Sequence, residues 1–118
     1  MKVNSYRDLI VWQKAMDAAE MIYQVTKQFP KEETYGLTNQ IRRAAVSIPS
    51  NIAEGQERKS TPDFKRFLLI SQGSRAEVET QLMLAQRLNY LTQEQLTPIL
   101  NLLAEISKMT NSLRDKLK

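Results

Sequence analysis

The chain has 118 residues and a mass of 13.6 kDa, which is one ordinary domain, and it carries a net charge of +4. Its 42% hydrophobic and 25% charged residues are typical of a globular protein and not of a disordered one. It has no cysteine and no histidine, which excludes a thiolate nucleophile, cysteine-ligated zinc and the usual general base near neutral pH. We therefore expect a single domain over residues 1–118 that is not an enzyme and needs no metal or cofactor.

Helix 1 is predicted from an N-terminal cap and a regular apolar pattern. Ser5 and Asp8 have the spacing of a capping box. Apolar residues then recur every three or four positions up to about Phe29, and Pro30 ends the pattern. The predicted buried face of helix 1 consists of Leu9, Trp12, Met16, Ala19 and Tyr23.

Helix 2 is predicted to begin just after Glu32 and Glu33, because acidic side chains complement the positive end of a helix dipole. Pro49 lies inside the helical pattern and is expected to kink the helix. Gly55 is the predicted C-terminal cap. The predicted buried face consists of Leu37, Ile41, Ala44, Ala45, Ile48 and Ile52.

The second half of the chain predicts two more helices. Ser60 or Thr61 is expected to cap helix 3, and helix 4 is expected to start at Thr92 or at Thr97. The predicted buried faces are Phe64, Phe67, Ile70, Ser71, Ser74, Val78, Leu82, Ala85 and Leu88 in helix 3, and Ile99, Leu103, Ile106, Thr110, Leu113 and Leu117 in helix 4. Four helices joined by short loops predict an all-α fold, an antiparallel up-down-up-down four-helix bundle.

Helices 1 and 3 each carry a second apolar stripe on the side opposite the predicted core. Its members are seven residues apart, which is typical of a helix face that packs against another helix. This pattern predicts a homo-oligomer. The alternative is that these are isolated exposed apolar residues, which are normal on protein surfaces. The predicted interface residues are Val11, Ala18 and Val25 of helix 1 and Leu69, Ala76 and Met83 of helix 3.

The positive charge is concentrated in one part of the chain. Residues 1–57 and 76–118 each have no net charge, so the whole excess of +4 lies in residues 58–75. A second stretch, residues 34–53, contains no acid. A basic cluster attracts anions and predicts binding to nucleic-acid phosphates, although a basic run can also be an ordinary solvated face. The predicted phosphate-binding residues are Arg42, Arg43, Arg58, Lys59, Lys65, Arg66 and Arg75.

A long motif in helix 2 carries a family resemblance. It runs from Gln40 to Gly55 and reads QIRRAAVSIPSNIAEG. Together with DLIVWQ starting at Asp8, and with Gly73-Ser74 in helix 3, it resembles the bacterial four-helix bundle proteins encoded within intervening sequences of 23S ribosomal RNA genes. The resemblance covers the chain from about Tyr6 to about Leu113.

This resemblance implies a bundle that assembles into a ring-like homopentamer. It is similar to the accessory variability determinant of diversity-generating retroelements, a basic barrel that binds nucleic acid and partners a reverse transcriptase. Arg42 and Arg43 match the paired arginines of the family, while Asn51, Glu54 and Gly55 match the end of its motif. Asn51 and Glu54 are either polar partners at a helix end or polar partners in an interface.

The sequence thus leads to two hypotheses for function. The first is a non-enzymatic homo-oligomer that binds RNA or DNA through backbone phosphates. The second is a protein-interaction scaffold or accessory subunit for a nucleic-acid enzyme such as a reverse transcriptase. The chain shows no apolar segment long enough to span a membrane and no signal-peptide core near its N-terminus, so we expect a cytoplasmic protein without a membrane partner.

Overall fold

The computed structural model describes residues 5–117, and the regular structure in this range is entirely helical. Residues 1–4 and 118, which the predicted domain also includes, lie outside the described residues. The four α-helices are α1 (Ile10–Thr26), α2 (Leu37–Glu57), α3 (Thr61–Arg87) and α4 (Gln93–Lys116), with short 3-10 helices at Tyr6–Asp8 and Lys31–Glu33. The predicted all-α four-helix bundle is confirmed. None of these helices has the length and apolarity needed to cross a lipid bilayer.

Each helix packs against two neighbours, and α2 with α3 forms the most extensive contact. Within residues 5–117, no Cα atom of α1 lies within 8 Å of a Cα atom of α3, so these two helices occupy diagonal corners of the bundle. Gln40 and Ser47 of α2 hydrogen-bond to Gln81 and Ser74 of α3, respectively. Residue numbers rise along α2 while those of its partners fall along α3, which means that the two helices run antiparallel.

The pairing of α1 with α4 is also antiparallel. Lys14 forms an ion pair with Glu105 at 3.3 Å, and Gln28, just beyond the end of α1, hydrogen-bonds to Gln95 at 2.9 Å. The start of α1, the turn between α2 and α3, and the end of α4 therefore lie at one end of a molecule that measures 44 × 25 × 19 Å.

The buried face of α1 differs from the predicted one. The core residues are Val11, Ala15, Ala18, Ile22 and Thr26, whereas Leu9, Trp12 and Ala19 are half-buried and Met16 and Tyr23 are 43% and 40% exposed. The prediction followed the bulkier of two stripes with helical spacing. The bundle buries the smaller one, because alanine side chains let the neighbouring helices approach closely.

Because α1 buries the smaller of its two apolar stripes, the part of the predicted oligomer interface that lies on α1 is corrected. Val11 and Ala18 are 3% and 1% exposed inside the core of a single copy, so they are not available to a second copy. Val25 is half-buried and packs against the same core. The prediction was wrong for α1 because periodicity alone identifies two apolar faces without saying which of them faces the core.

The ends of α1 also differ from the prediction. Ser5 caps the 3-10 helix Tyr6–Asp8, its hydroxyl accepting a hydrogen bond from the Arg7 backbone N–H. The following residue, Leu9, is extended, so α1 begins at Ile10 and ends at Thr26, three residues before the predicted end. A short 3-10 turn therefore replaces the predicted first turn of α1.

The start of α2 lies a few residues later than predicted. Glu32 and Glu33 lie in the second 3-10 helix, and α2 begins at Leu37. Glu33 nevertheless acts on α2, because its carboxylate accepts a hydrogen bond from the Leu37 backbone N–H at 3.0 Å and another from the Tyr90 hydroxyl at 2.9 Å. These two hydrogen bonds, the backbone one first, hold the pKa of Glu33 below its usual value.

Gly55 lies inside α2, and the predicted C-terminal cap there is wrong. The helix continues to Glu57, and Lys59 instead adopts the left-handed conformation that follows it, with φ of 58°. A Cβ atom on Gly55 would lie 2.6 Å from the Cβ of Phe67. The absence of a side chain at Gly55 thus allows α2 and α3 to approach each other closely at this point. Pro49 is buried in the middle of α2, and the kink at this position stays a prediction.

Each of the last two helices begins at the first of its two predicted starts. Ser60 caps α3 by accepting a hydrogen bond from the Asp63 backbone N–H, and Thr92 forms a capping box with Gln95 at the start of α4. The buried residues of both helices belong mainly to the predicted faces. The core includes Phe67, Ser71, Val78, Leu82, Ala85, Ile99, Leu103, Ile106 and Thr110, but Ile70 and Leu88 are exposed.

Candidate nucleic-acid interface and self-association surface

The turn between α2 and α3 brings four of the predicted phosphate-binding residues to one end of the bundle. The guanidinium carbons of Arg58 and Arg66 lie 5.1 Å and 4.6 Å from the centre of the Phe67 ring. Lys59 is exposed between the two helices, and Lys65 is half-buried in the first part of α3. We call Arg58, Lys59, Lys65 and Arg66 the turn cluster.

Acidic neighbours offset part of the charge of the turn cluster. Arg58 pairs with Glu54 at 2.9 Å, and Arg66 pairs with Asp63 at 3.6 Å. Both pairs are exposed, so solvent and salt screen them and a phosphate can compete for the arginines. Lys59 and Lys65 form no ion pair with residues 5–117. The cluster therefore keeps two unpaired lysine ammonium groups and two accessible guanidinium groups.

Arg42 is a structural residue and does not belong to an open basic surface. Its Nε donates a hydrogen bond to the Thr26 hydroxyl at 2.8 Å, and its terminal nitrogen donates to the Tyr23 carbonyl at 3.2 Å. The guanidinium also lies 4.6 Å from the centre of the Tyr23 ring. Arg42 therefore ties the C-terminal turn of α1 to α2, where a positive charge complements the helix dipole.

The structure also separates Arg43 and Arg75 from the turn cluster. Arg43 is exposed and lines a polar groove between α2 and α3 that includes Ser47 and Glu77. Arg75 is half-buried, pairs with Glu79 at 2.8 Å and donates a hydrogen bond to Gln72 at 2.7 Å. Arg75 is thus engaged within α3, so the predicted set of seven residues divides between one cluster and three separate positions.

Two tyrosines whose rings could stack on bases lie at the opposite end of the bundle. Tyr90 donates a hydrogen bond to Glu33 just before α2, and Tyr35 is 94% exposed in the same region. The length of α2, 21 residues or about 30 Å, separates them from the turn cluster. Phe67 is 6% exposed and packed against arginine, whereas Phe64 is half-buried and lines a pocket together with Lys59. The charged groups of the cluster are suited to contacts with phosphates.

The predicted apolar surface on α3 is exposed. Leu69 and Met83 are 53% and 45% exposed, and Ala76 lies on the surface between them. Gly73 and Thr80 continue the same face at alternating spacings of four and three residues, which is the pattern of a packed helix face. We call the five residues Leu69, Gly73, Ala76, Thr80 and Met83 the α3 ridge. Ile70 and Leu84 are 41% and 47% exposed beside the ridge. The apolar spacing of helix 3 predicted a buried Ile70, so this residue was missed as part of the surface.

Fold and surface together define a small all-α four-helix bundle with a basic turn between α2 and α3 and an exposed apolar face on α3. The chain belongs to the 23S rRNA-intervening sequence protein family, whose model matches residues 7–112, and this confirms the predicted family. No curated protein matches the chain. The likeness to the accessory variability determinant of retroelements stays a prediction.

A solved structure from Bacteroides thetaiotaomicron is similar over nearly the whole chain. It is a crystal structure of a protein of unknown function from the S23 ribosomal protein family, with 30% sequence identity and a TM-score of 0.79. The match covers 89% of this chain and 98% of that one. The bundle is therefore shared with this relative across almost its whole length.

Proposed function

We propose that this protein is a non-enzymatic homo-oligomer that binds RNA or DNA through backbone phosphates at its turn cluster. The supporting observation is that the whole excess charge of the chain falls in residues 58–75 and that Arg58, Lys59 and Arg66 meet at one end of the bundle. Assembly of several copies, with the pentamer as the expected form, would repeat this cluster and strengthen its field. We place the protein in the cytoplasm as part of the same proposal.

The salt dependence of binding tests the nucleic-acid part of the proposal. Log affinity for a labelled single-stranded RNA or duplex DNA is plotted against log salt concentration, and each phosphate contact contributes about 0.7 to 0.9 to the slope. We expect the Lys59→Ala/Lys65→Ala variant to have weaker binding and a shallower slope. Lys108→Ala, an exposed lysine on α4, is the control and is expected to retain the slope. No affinity for either nucleic acid at low salt would refute the proposal.

The exposed α3 ridge supports the homo-oligomer part. Apolar residues at heptad spacing along a helix favour packing against another helix. Light scattering is expected to give a mass several times 13.6 kDa for the unmodified chain. The Leu69→Glu/Met83→Glu variant is expected to keep its helical circular dichroism and to fall to the mass of one copy. A single-copy mass for the unmodified chain, or undiminished association of the variant, would contradict self-association.

The same ridge favours one alternative, in which the protein is a scaffold or accessory subunit for a nucleic-acid enzyme such as a reverse transcriptase. In that case a protein partner covers the apolar surface and the turn cluster docks acidic residues. The two functions differ in their response to nuclease. A purified complex with the enzyme that survives nuclease treatment and is lost in Leu69→Glu/Met83→Glu favours the scaffold, whereas a complex lost on nuclease treatment favours nucleic-acid binding.

A further inference from the structure

A small surface pocket lies at the turn between α2 and α3, beside the turn cluster. Its volume is about 230 Å³. A cavity of about 150 Å³ holds one benzene ring, so this pocket has room for a single planar ring system such as a nucleobase. The lining residues are Gly55, Gln56, Lys59, Ser60, Thr61 and Phe64, and we call this site the turn pocket.

Phe64 gives the turn pocket an aromatic wall. It is half-buried and packs against the core of the bundle, whereas Phe67, one turn later on α3, is almost fully buried. A Cβ atom on Gly55 would lie 3.1 Å from a carbon of the Phe64 ring, so the ring rests against the bare backbone of α2. A ring that is held in this way and lines a pocket is suited to stack on a flat ligand, as aromatic side chains do on the bases of single strands.

Gln56 brings to the pocket an amide with unused hydrogen-bonding capacity. Its Oε1 atom is buried and has no hydrogen-bond partner among residues 5–117. A buried acceptor without a partner is unfavourable, and a ligand that supplies a donor removes this cost. Half a turn about the last side-chain bond exchanges the oxygen with the amide nitrogen, so Gln56 can offer an acceptor or a donor. The exposed edge of an unpaired nucleobase carries groups of both kinds.

Lys59 places a positive charge at the same pocket. It is exposed, forms no ion pair with residues 5–117, and has a φ of 58°. This left-handed conformation is costly for lysine, while glycine and asparagine adopt it more readily. Asn89 takes the equivalent position after α3, with a φ of 65°. Lysine is unfavourable for the turn itself, so a role for its ammonium group, such as binding a phosphate, is the better explanation of its presence.

We infer that the turn pocket binds one unpaired nucleotide of a nucleic-acid strand. The base stacks on Phe64, its edge hydrogen-bonds to the amide of Gln56, and its phosphate binds Lys59. This inference rests on the nucleic-acid part of the proposed function and adds that an unpaired base is recognised along with the backbone. A base inside a duplex is stacked and paired and cannot enter such a pocket, so single-stranded segments and unpaired ends are the preferred targets.

Two labelled RNA hairpins of one sequence test this inference. One carries a single unpaired adenosine at its 3′ end, and the other carries an abasic nucleotide there, so the two have the same phosphates and differ only in the base. Affinities are measured by fluorescence anisotropy. Because stacking on an aromatic side chain contributes to binding base by base, we expect the hairpin with the adenosine to bind about 10-fold more tightly.

Variants of the pocket locate the base. Phe64→Leu keeps an apolar side chain without the ring, and we expect it to bring the affinity ratio of the two hairpins close to one, while Phe64→Tyr restores the ratio. Gln56→Leu removes the amide and breaks no hydrogen bond of Oε1, and it is also expected to lower the ratio. Tyr35→Leu, at the opposite end of the bundle, is the matched control and is expected to retain it. Circular dichroism shows that each variant is folded.

A free nucleotide offers the same base and phosphate, and competition separates the two sources. Adenosine 5′-monophosphate lacks the neighbouring phosphates that the rest of the turn cluster binds, so we expect it to displace the labelled hairpin far less well than the unlabelled hairpin does. Displacement at the same concentration would identify a free nucleotide as the ligand and overturn the assignment to a strand.

The outcomes separate this inference from the proposed function. Equal affinity of the unmodified chain for the two hairpins, or an unchanged ratio in a folded Phe64→Leu variant, overturns the inference and leaves phosphate binding standing. No affinity for either hairpin at low salt refutes the nucleic-acid part of the proposed function, and the inference with it.

Discussion

The contact at Gly55 gives the sharpest prediction about the fold. In the Gly55→Ala variant, the new Cβ would lie 2.6 Å from the Cβ of Phe67 and 3.1 Å from a ring carbon of Phe64. Carbon atoms pack best at about 3.5–4.0 Å. The Phe67 Cβ is attached directly to the α3 backbone, so a rotamer change cannot move it away. The two helices must therefore separate by about 1 Å.

The size of the effect follows from two opposing terms. Overpacking of a close helix contact costs about 1–3 kcal/mol of unfolding free energy, while replacement of glycine by alanine in a helix gains about 0.5–1 kcal/mol. Among residues 5–117, no heavy atom of another helix lies within 4 Å of the position that a Cβ would take on Gly73. Gly73→Ala therefore gains helix propensity without any cost from overpacking. We therefore expect Gly55→Ala to be less stable than Gly73→Ala by about 1–3 kcal/mol, or roughly 4 °C in Tm for each kcal/mol.

Urea unfolding followed by circular dichroism measures this difference. Each variant is compared with the unmodified chain at two protein concentrations, because a contribution from self-association would appear as a concentration dependence. Equal stability of Gly55→Ala and Gly73→Ala would refute the close approach of α2 and α3. A Gly55→Ala variant more stable than the unmodified chain would show that helix propensity dominates at this position.

Two further predictions concern the ends of α1 and α2. Arg42→Ala loses the hydrogen bond to Thr26, and we expect it to lower the unfolding free energy by about 1.5 kcal/mol while leaving the salt dependence of RNA binding unchanged; a shallower salt slope would return Arg42 to the phosphate-binding set. The pKa of Glu33 is lowered by the Leu37 and Tyr90 hydrogen bonds, so its contribution to stability is present above the ordinary pKa of a glutamate and is lost as the pH falls through its lowered pKa. The stability difference between the unmodified chain and Glu33→Gln, measured by urea unfolding at several pH values, should therefore shrink on acidification, and a constant difference would contradict this role.

Local sequence signals were sufficient to predict that four helices form. Of the two predicted caps for each of the last two helices, Ser60 and Thr92 are the observed ones. Such signals are readable because a capping side chain acts on backbone groups only three residues away. The core of α4 was also predicted from its spacing, since this helix has a single apolar stripe. The basic segment 58–75 could be found by counting charges, because it is continuous along the chain.

The sequence by itself therefore determined the helical class, the helix number and the family, since each depends on local pattern or on a continuous motif. Only the tertiary structure decided which stripe of α1 is buried, because Ala15 and Ala18 gain their place in the core from the close approach of neighbouring helices. It also decided that Arg42 and Arg75 bind other side chains within the same copy, and that Gly55 serves packing and not helix termination. These assignments depend on residues far apart in the chain, whose distances follow from how the helices pack and not from their order.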